Sequence, residues 1–199
     1  QRLKDIDAEL PYYIKQRTKA DVNNTEELTI RSLGNKYKAH VPQKSPKMAY
    51  NVGRGLSSPI FQIDEGPFQS NISISLPAAL AAGTALRDKA ASMGEPYGTI
   101  LTTTAGKKDD RDGKYVFNFI SEAAEWSERF FDCKNIEELI VMVRKHSRNG
   151  RLRINATFNH KQLGKSDEWL KKAIEEAAVV GEDADRDFFN VWTSGTMSS

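Results

Sequence analysis

The chain has 199 residues, 39% hydrophobic and 28% charged, with a formal net charge of +2. That balance excludes intrinsic disorder and leaves room for one ordinary domain, or a domain with a small appendage. The near-neutral total does not by itself point to nucleic acid. A lone cysteine, Cys133, rules out an internal disulfide and makes a reducing compartment the default, and no apolar run approaches the roughly 18 residues of a membrane span.

Leu3, Ile6 and Leu10 share one helical face, and Pro11 is expected to end that helix. EELTIRS and KYKAHV alternate about Leu33-Gly34-Asn35, predicting a hairpin. Residues 44–58, rich in Pro, Ser and Gly, are expected to be a loop, and a strand follows over 59–63. The Ala- and Leu-rich stretch 76–91, introduced by Ser75 and Pro77, predicts a helix, and GTILTT (98–103) a short buried strand. After the hydrophilic KKDDRDG, Val116, Phe119, Ile120 and Ala123 return to helical spacing. The order strand, helix, strand, helix argues for an α/β fold with a parallel sheet and helices packed on it.

From about residue 126 the character changes. Asn135 with Glu138 three residues on predicts a helix start, and IEELIVMVRKH a helix carrying cations near its C-terminus. RLRINATF alternates as a strand, and 167–180 is helical with Trp169, Leu170, Ala173, Ile174 and Ala177 on one stripe. The expected division is residues 1–125 and a small subdomain over 126–199.

PIFQIDEGPF ends an apolar strand in two adjacent carboxylates. Open parallel sheets bind ligands beyond the carboxyl ends of their strands. An aspartate there can hold a phosphate-bound Mg²⁺, and a glutamate can orient or deprotonate an attacking water. Asp64 and Glu65 are the candidates for those two roles, although the same pattern also suits a strand end with two solvated acids. GTILTTTAG, some 34 residues on, ends in Thr102, Thr103 and Thr104. Hydroxyls at a neighbouring strand end can bond a phosphate, a water or the Glu65 carboxylate; threonine also simply favours strands.

Together AYNVGRGLSSPIFQIDEGPF and GTILTTTAG resemble the large terminase subunit of tailed bacteriophages, the ATP-driven DNA-packaging motor. DAELPYYI and NNTEELTIRS before them are also similar to that family, so the resemblance covers most of 1–125. It implies a partial parallel sheet of a P-loop (ASCE-type) ATPase core with helices on its faces, followed by a small α+β linker subdomain. It implies Asp64 as the Walker B metal-binding aspartate, Glu65 as the catalytic glutamate, and Thr102, Thr103, Thr104 and Gly106 within the coupling motif. Arg54, ten residues before Asp64, matches an arginine proposed in some members to reach a neighbouring subunit's site; a loop arginine paired to a surface acid is the plainer alternative. ATP and Mg²⁺ are the implied cofactors. Double-stranded DNA, the portal, the small terminase subunit and neighbouring copies in a ring are the implied partners, and the host cytoplasm the implied location.

On this resemblance the phosphate-binding loop and the nuclease domain are expected outside the chain, which would be a piece of a longer protein. Gly164-Lys165-Ser166 imitates such a loop, but DEWLKKAIEEA is charged on most of its face and puts Asp167 and Glu168 where phosphates need positive potential. Arg144, Lys145, Arg148, Arg151 and Arg153 form the densest basic cluster, suited either to DNA phosphates or an adjacent subunit, or to a solvated helix end. The histidines show no metal-ligand spacing, and the three tryptophans suit the subdomain core. Two other readings stand beside the terminase one: another nucleic-acid-dependent ATPase such as a helicase, and a non-catalytic DNA-binding or assembly module.

Overall fold

A computed structural model describes residues 2–55, 58–181 and 184–194, without the side chains of residues 2, 3, 52 and 53. The chain divides into two compact units, Gln1–Pro42 and Gln43–Ser199.

In the first unit, helix α1 (Arg2–Glu9) stops short of Pro11, as the proline's missing N–H and ring sterics require. Ile6 is 59% exposed, so α1 presents no fully covered apolar face; the side chain of Leu3 lies outside the described ones. Strands β1 (Glu27–Ile30) and β2 (Asn35–Lys38) pair antiparallel with Leu28 opposite Tyr37, the expected hairpin. Asp21 fastens this unit. Its carboxylate accepts the Thr18 N–H at 2.8 Å, the Arg31 N–H at 2.7 Å and the Thr29 hydroxyl at 3.1 Å. The Thr18 and Arg31 backbone bonds, in that order, draw its pKa down to about 2.

The second unit begins with a correction. Residues 46–55 form helix α2 (Pro46–Gly55), not a loop; Leu56 and Ser57 lie outside the described residues. Pro46 takes the first helical position, where its missing N–H costs nothing, and Ala49 is buried. Strand β3 (Ile60–Asp64) leads through a 3₁₀ turn at Gly66–Phe68 into α3 (Ile72–Ala82), which starts four residues earlier than the alanine run suggests. Gly83 separates α3 from α4 (Thr84–Ser92). A β-carbon at Gly83 would stand 2.8 Å from the Phe61 ring and 2.7 Å from Arg87, so only glycine fits against β3 at the junction, and the single helix expected over 76–91 is two.

Strand β4 (Gly98–Thr102) pairs parallel with β3 in the register Ile60–Gly98 to Asp64–Thr102. Helix α5 (Arg111–Ser121) is capped by Asp110, whose carboxylate accepts the Gly113 N–H at 2.6 Å. Ile72, Leu76 and Val116 form the buried centre, with Ile63, Leu101, Phe119, Ile120 and Trp192 packed around it. The result is a mixed helix–strand architecture with small parallel ladders, the strand–helix–strand–helix order read from the sequence.

A second parallel ladder joins β5 (Ala124–Glu125) to β6 (Ile154–Asn155), with α6 (Ile136–His146) between them. Asn135 caps α6 by accepting the Glu138 N–H at 2.9 Å, while the Glu138 carboxylate accepts the Lys134 N–H at 3.0 Å. The strand expected over RLRINATF is reduced to two residues. Ala124, Phe130 and Val143 make a second, smaller core. Residues on either side of 125/126 therefore share one ladder and one compact unit. Helix α7 (Asp167–Val179) buries only Ala177 of its expected stripe, and α8 (Ala184–Phe189) follows. Trp126 and Trp169 are 44% and 41% exposed, and Trp192 joins the first core, so the tryptophans do not form a subdomain core of their own.

Candidate functional site

The parallel register of β3 and β4 brings the two sequence signals to one edge. The Thr102 hydroxyl donates to Asp64 Oδ1 at 2.8 Å, and the Glu65 N–H donates to the Thr102 carbonyl at 2.8 Å, extending the ladder by one bond. Parallel pairing forces this result, because both strands then end on the same side of the sheet. Asp64, Glu65 and Thr102 are all exposed, so the edge faces solvent. The Gln69 amide donates to the Asp64 carbonyl at 2.5 Å and fixes the turn behind it.

Glu65 is held with φ 54 and ψ 44, a left-handed conformation uncommon for a residue with a full side chain. Such backbone costs on the order of 1–3 kcal/mol and clusters at functional sites. Here the buried Gly66-Pro67 turn enforces it, so the chain leaves the strand at once and the two carboxylates do not continue the strand's alternation. Partial desolvation, then the charges of Asp64 and Asp187, push the Glu65 carboxyl above its ordinary range, while Arg186 pulls it back.

Beyond Thr102 the chain leaves the sheet. Thr103 turns its hydroxyl to the Thr104 carbonyl at 2.8 Å, so only Thr102 of the three engages the carboxylate pair, and it engages Asp64, not Glu65. Gly106 is buried: a β-carbon there would lie 2.5 Å from Pro67 Cβ and 3.3 Å from Trp192 Cζ3. The following residues are pinned by the end of the described chain. Thr193 N–H donates to the Gly106 carbonyl at 3.1 Å, and Lys108 N–H to the Thr193 carbonyl at 2.8 Å.

Among the described residues no group of three metal-ligating side chains occurs. Mg²⁺ held with a nucleotide takes one or two protein carboxylates and completes its shell with waters and phosphate oxygens. Asp64 offers Oδ2 for this, since its described hydrogen bond falls on Oδ1.

Arg54 does not join the pair. It lies on α2 with its guanidinium 5.7 Å from the Tyr50 ring centroid, lining a cleft of about 760 Å³ with Ser73, Ile74 and Pro77. Asp64 and Glu65 are not in that lining. The basic cluster splits. Arg151 and Arg153 both reach Glu122, at 3.5 and 3.3 Å, and half-buried Arg153 stacks 3.6 Å over the Phe119 ring, whereas Arg144, Lys145, Arg148 and Arg151 are exposed. At the imitation phosphate loop, Ser166 caps α7 by accepting the Trp169 N–H, Asp167 pairs with His160 at 2.7 Å and Lys161 at 3.3 Å, and Lys165 lies over the Trp169 ring.

Three side chains that sequence reasoning missed belong to this edge: Arg186, Asp187 and Trp192. Arg186 stands 5.9 Å from the Phe68 ring centroid and donates from Nε and Nη2 to both Asp187 oxygens, at 2.7 and 2.8 Å. Nothing in DADRDFF signals a partner more than a hundred residues earlier. Comparison with protein-family models, with curated proteins and with solved structures finds no match for this chain.

Proposed function

We propose that the chain carries the Walker B and coupling portion of a large-terminase-type ATPase, the motor that drives viral DNA into a prohead. The observation that carries this reading is the hydrogen bond between Thr102 and Asp64 across paired strand ends, with Glu65 next in line. In it Asp64 and Thr102 hold the metal end of the site, and Glu65 orients and deprotonates the attacking water. Bound Mg²⁺ would neutralise charge developing on the phosphate oxygens. The raised affinity of Glu65 for a proton suits a base better than a fully solvated glutamate would. Threonine 102 then links the metal ligand to the loop through Gly106, which suits a coupling element.

Exposed Arg144, Lys145 and Arg148 at the end of α6 are the residues this reading assigns to duplex phosphates. Arg151, also exposed, stays with them, while Arg153 is half-buried against Phe119 and Glu122. Portal, small subunit and ring neighbours remain the partners the reading calls for, and Arg54 on α2 would serve a neighbour's site, not its own.

The test is Glu65→Gln in the intact protein. ATP hydrolysis is expected to fall by about 10²–10⁴-fold, the usual worth of a positioned general base, while nucleotide binding persists. Unchanged turnover would remove Glu65 from its role and the reading with it.

A further inference from the structure

A guanidinium matches phosphoryl oxygens with a planar fork of donors, and Arg54 faces a different cleft. The described chain brings another to the Asp64–Glu65 edge. Helix α8 sets Arg186 over Phe68, three residues past Glu65, and the return of the chain through Trp192 and Thr193 locks α8 there. Val191 N–H donates to the Asp185 carbonyl at 3.0 Å, closing the turn between helix and bridge. Arg186 thus stands beside the turn that leaves the strand at Glu65, and the charges of Asp187 and Arg186 bear on the Glu65 carboxyl accordingly.

We propose that Arg186 is the phosphate-contacting arginine of this site, held in readiness by Asp187, which occupies its fork until a nucleotide's phosphoryl oxygens replace the carboxylate. This rests on the nucleotide-binding reading above and adds to it an arginine of the same chain. The geometry favours exchange over a fixed structural pair. Asp187 is the next residue in the chain, so the bidentate contact spans no packing interface and its loss leaves α8 anchored by Trp192 and Thr193. Phosphate oxygens match the same planar fork.

Titration of Mg·ATPγS into the intact protein tests it, with Lys172→Gln as the charge-matched control on α7. Arg186→Gln is expected to weaken binding by about 10- to 100-fold, as loss of charge-assisted hydrogen bonds does, with Arg186→Lys in between. Asp187→Asn is expected to tighten binding, because it removes the competing carboxylate; a merely structural pair would not do this. Wild-type affinity in Arg186→Gln, or Asp187→Asn that fails to tighten, would overturn the inference while leaving the nucleotide site in place. If Arg186→Gln does not fold, the Asp187→Asn result decides alone. A wild-type protein that does not bind Mg·ATPγS would instead sink the underlying reading, and this inference with it.

Discussion

Gly106 shows how little room the site's exit loop has. Its position between Pro67 and Trp192 leaves 2.5 Å for a β-carbon against a proline ring that cannot rotate away. Overpacking of this kind costs about 1–3 kcal/mol. Gly106→Ala is therefore expected to lower stability by that amount in chemical denaturation. At Gly34, where a β-carbon meets open space, the penalty would come from φ 66 alone. At this same scale the sequence was half legible. The threonine run and the acidic pair were visible as odd choices for strand ends, and the structure sets Thr102 against Asp64. Which of the three hydroxyls would do so was not readable, because that depends on the residue at which the strand stops pairing.

Elements here are held by side chains borrowed from other elements. Asp112, in the first turn of α5, accepts the Asn71 N–H at 2.8 Å, the Ser73 N–H at 3.1 Å and the Ser73 hydroxyl at 2.5 Å, and so caps α3 from outside. Asn71, itself buried, donates to the Gln43 and Lys44 carbonyls at 2.9 Å and accepts from Arg111 at 2.7 Å. Burial alone would raise the Asp112 carboxyl; the bonds from Ser73, Asn71 and Arg111 outweigh it and hold the group below its ordinary value. A depressed carboxylate contributes stability that is present above the unfolded value and lost as pH falls through the folded one. Asp112→Ala is expected to cost about 1–3 kcal/mol at neutral pH. The difference from wild type in unfolding midpoint should shrink as acid takes the pH below the ordinary carboxylate range. Sequence periodicity found α5, α6 and α7, and the Asn135 cap of α6, because those signals are local. It missed α2 and the early start of α3, because Asn71 and Asp112 meet only after the chain has folded back.

Across the molecule, burial is unevenly spread. The side chains of Ile72, Val116 and Val143 are buried almost completely, and all three lie in the second unit. The first unit relies on Leu28, Thr29 and the Asp21 hydrogen bonds. A unit this small sits near the size at which a single core becomes marginal. Amide hydrogen exchange is expected to be slowest at Leu76, Val116 and Val143, inside helices of the two cores, and faster through Glu27–Ile30; equal protection in both would contradict the uneven core. At this scale the sequence anticipated helices packed beside parallel pairs. It could not anticipate that the described chain's last residues reach back to Lys107, since no periodicity encodes a contact of that span.

That bridge sets an order of events during synthesis. A nascent chain released as far as α5 already owns both carboxylates and the threonine strand, yet Gly106 and Pro67 still lack the indole that covers them. The cover over Gly106 and Pro67 is supplied by residues made well after them, and a translation product interrupted before Trp192 would display an open, greasy seam where the longer chain has a closed one.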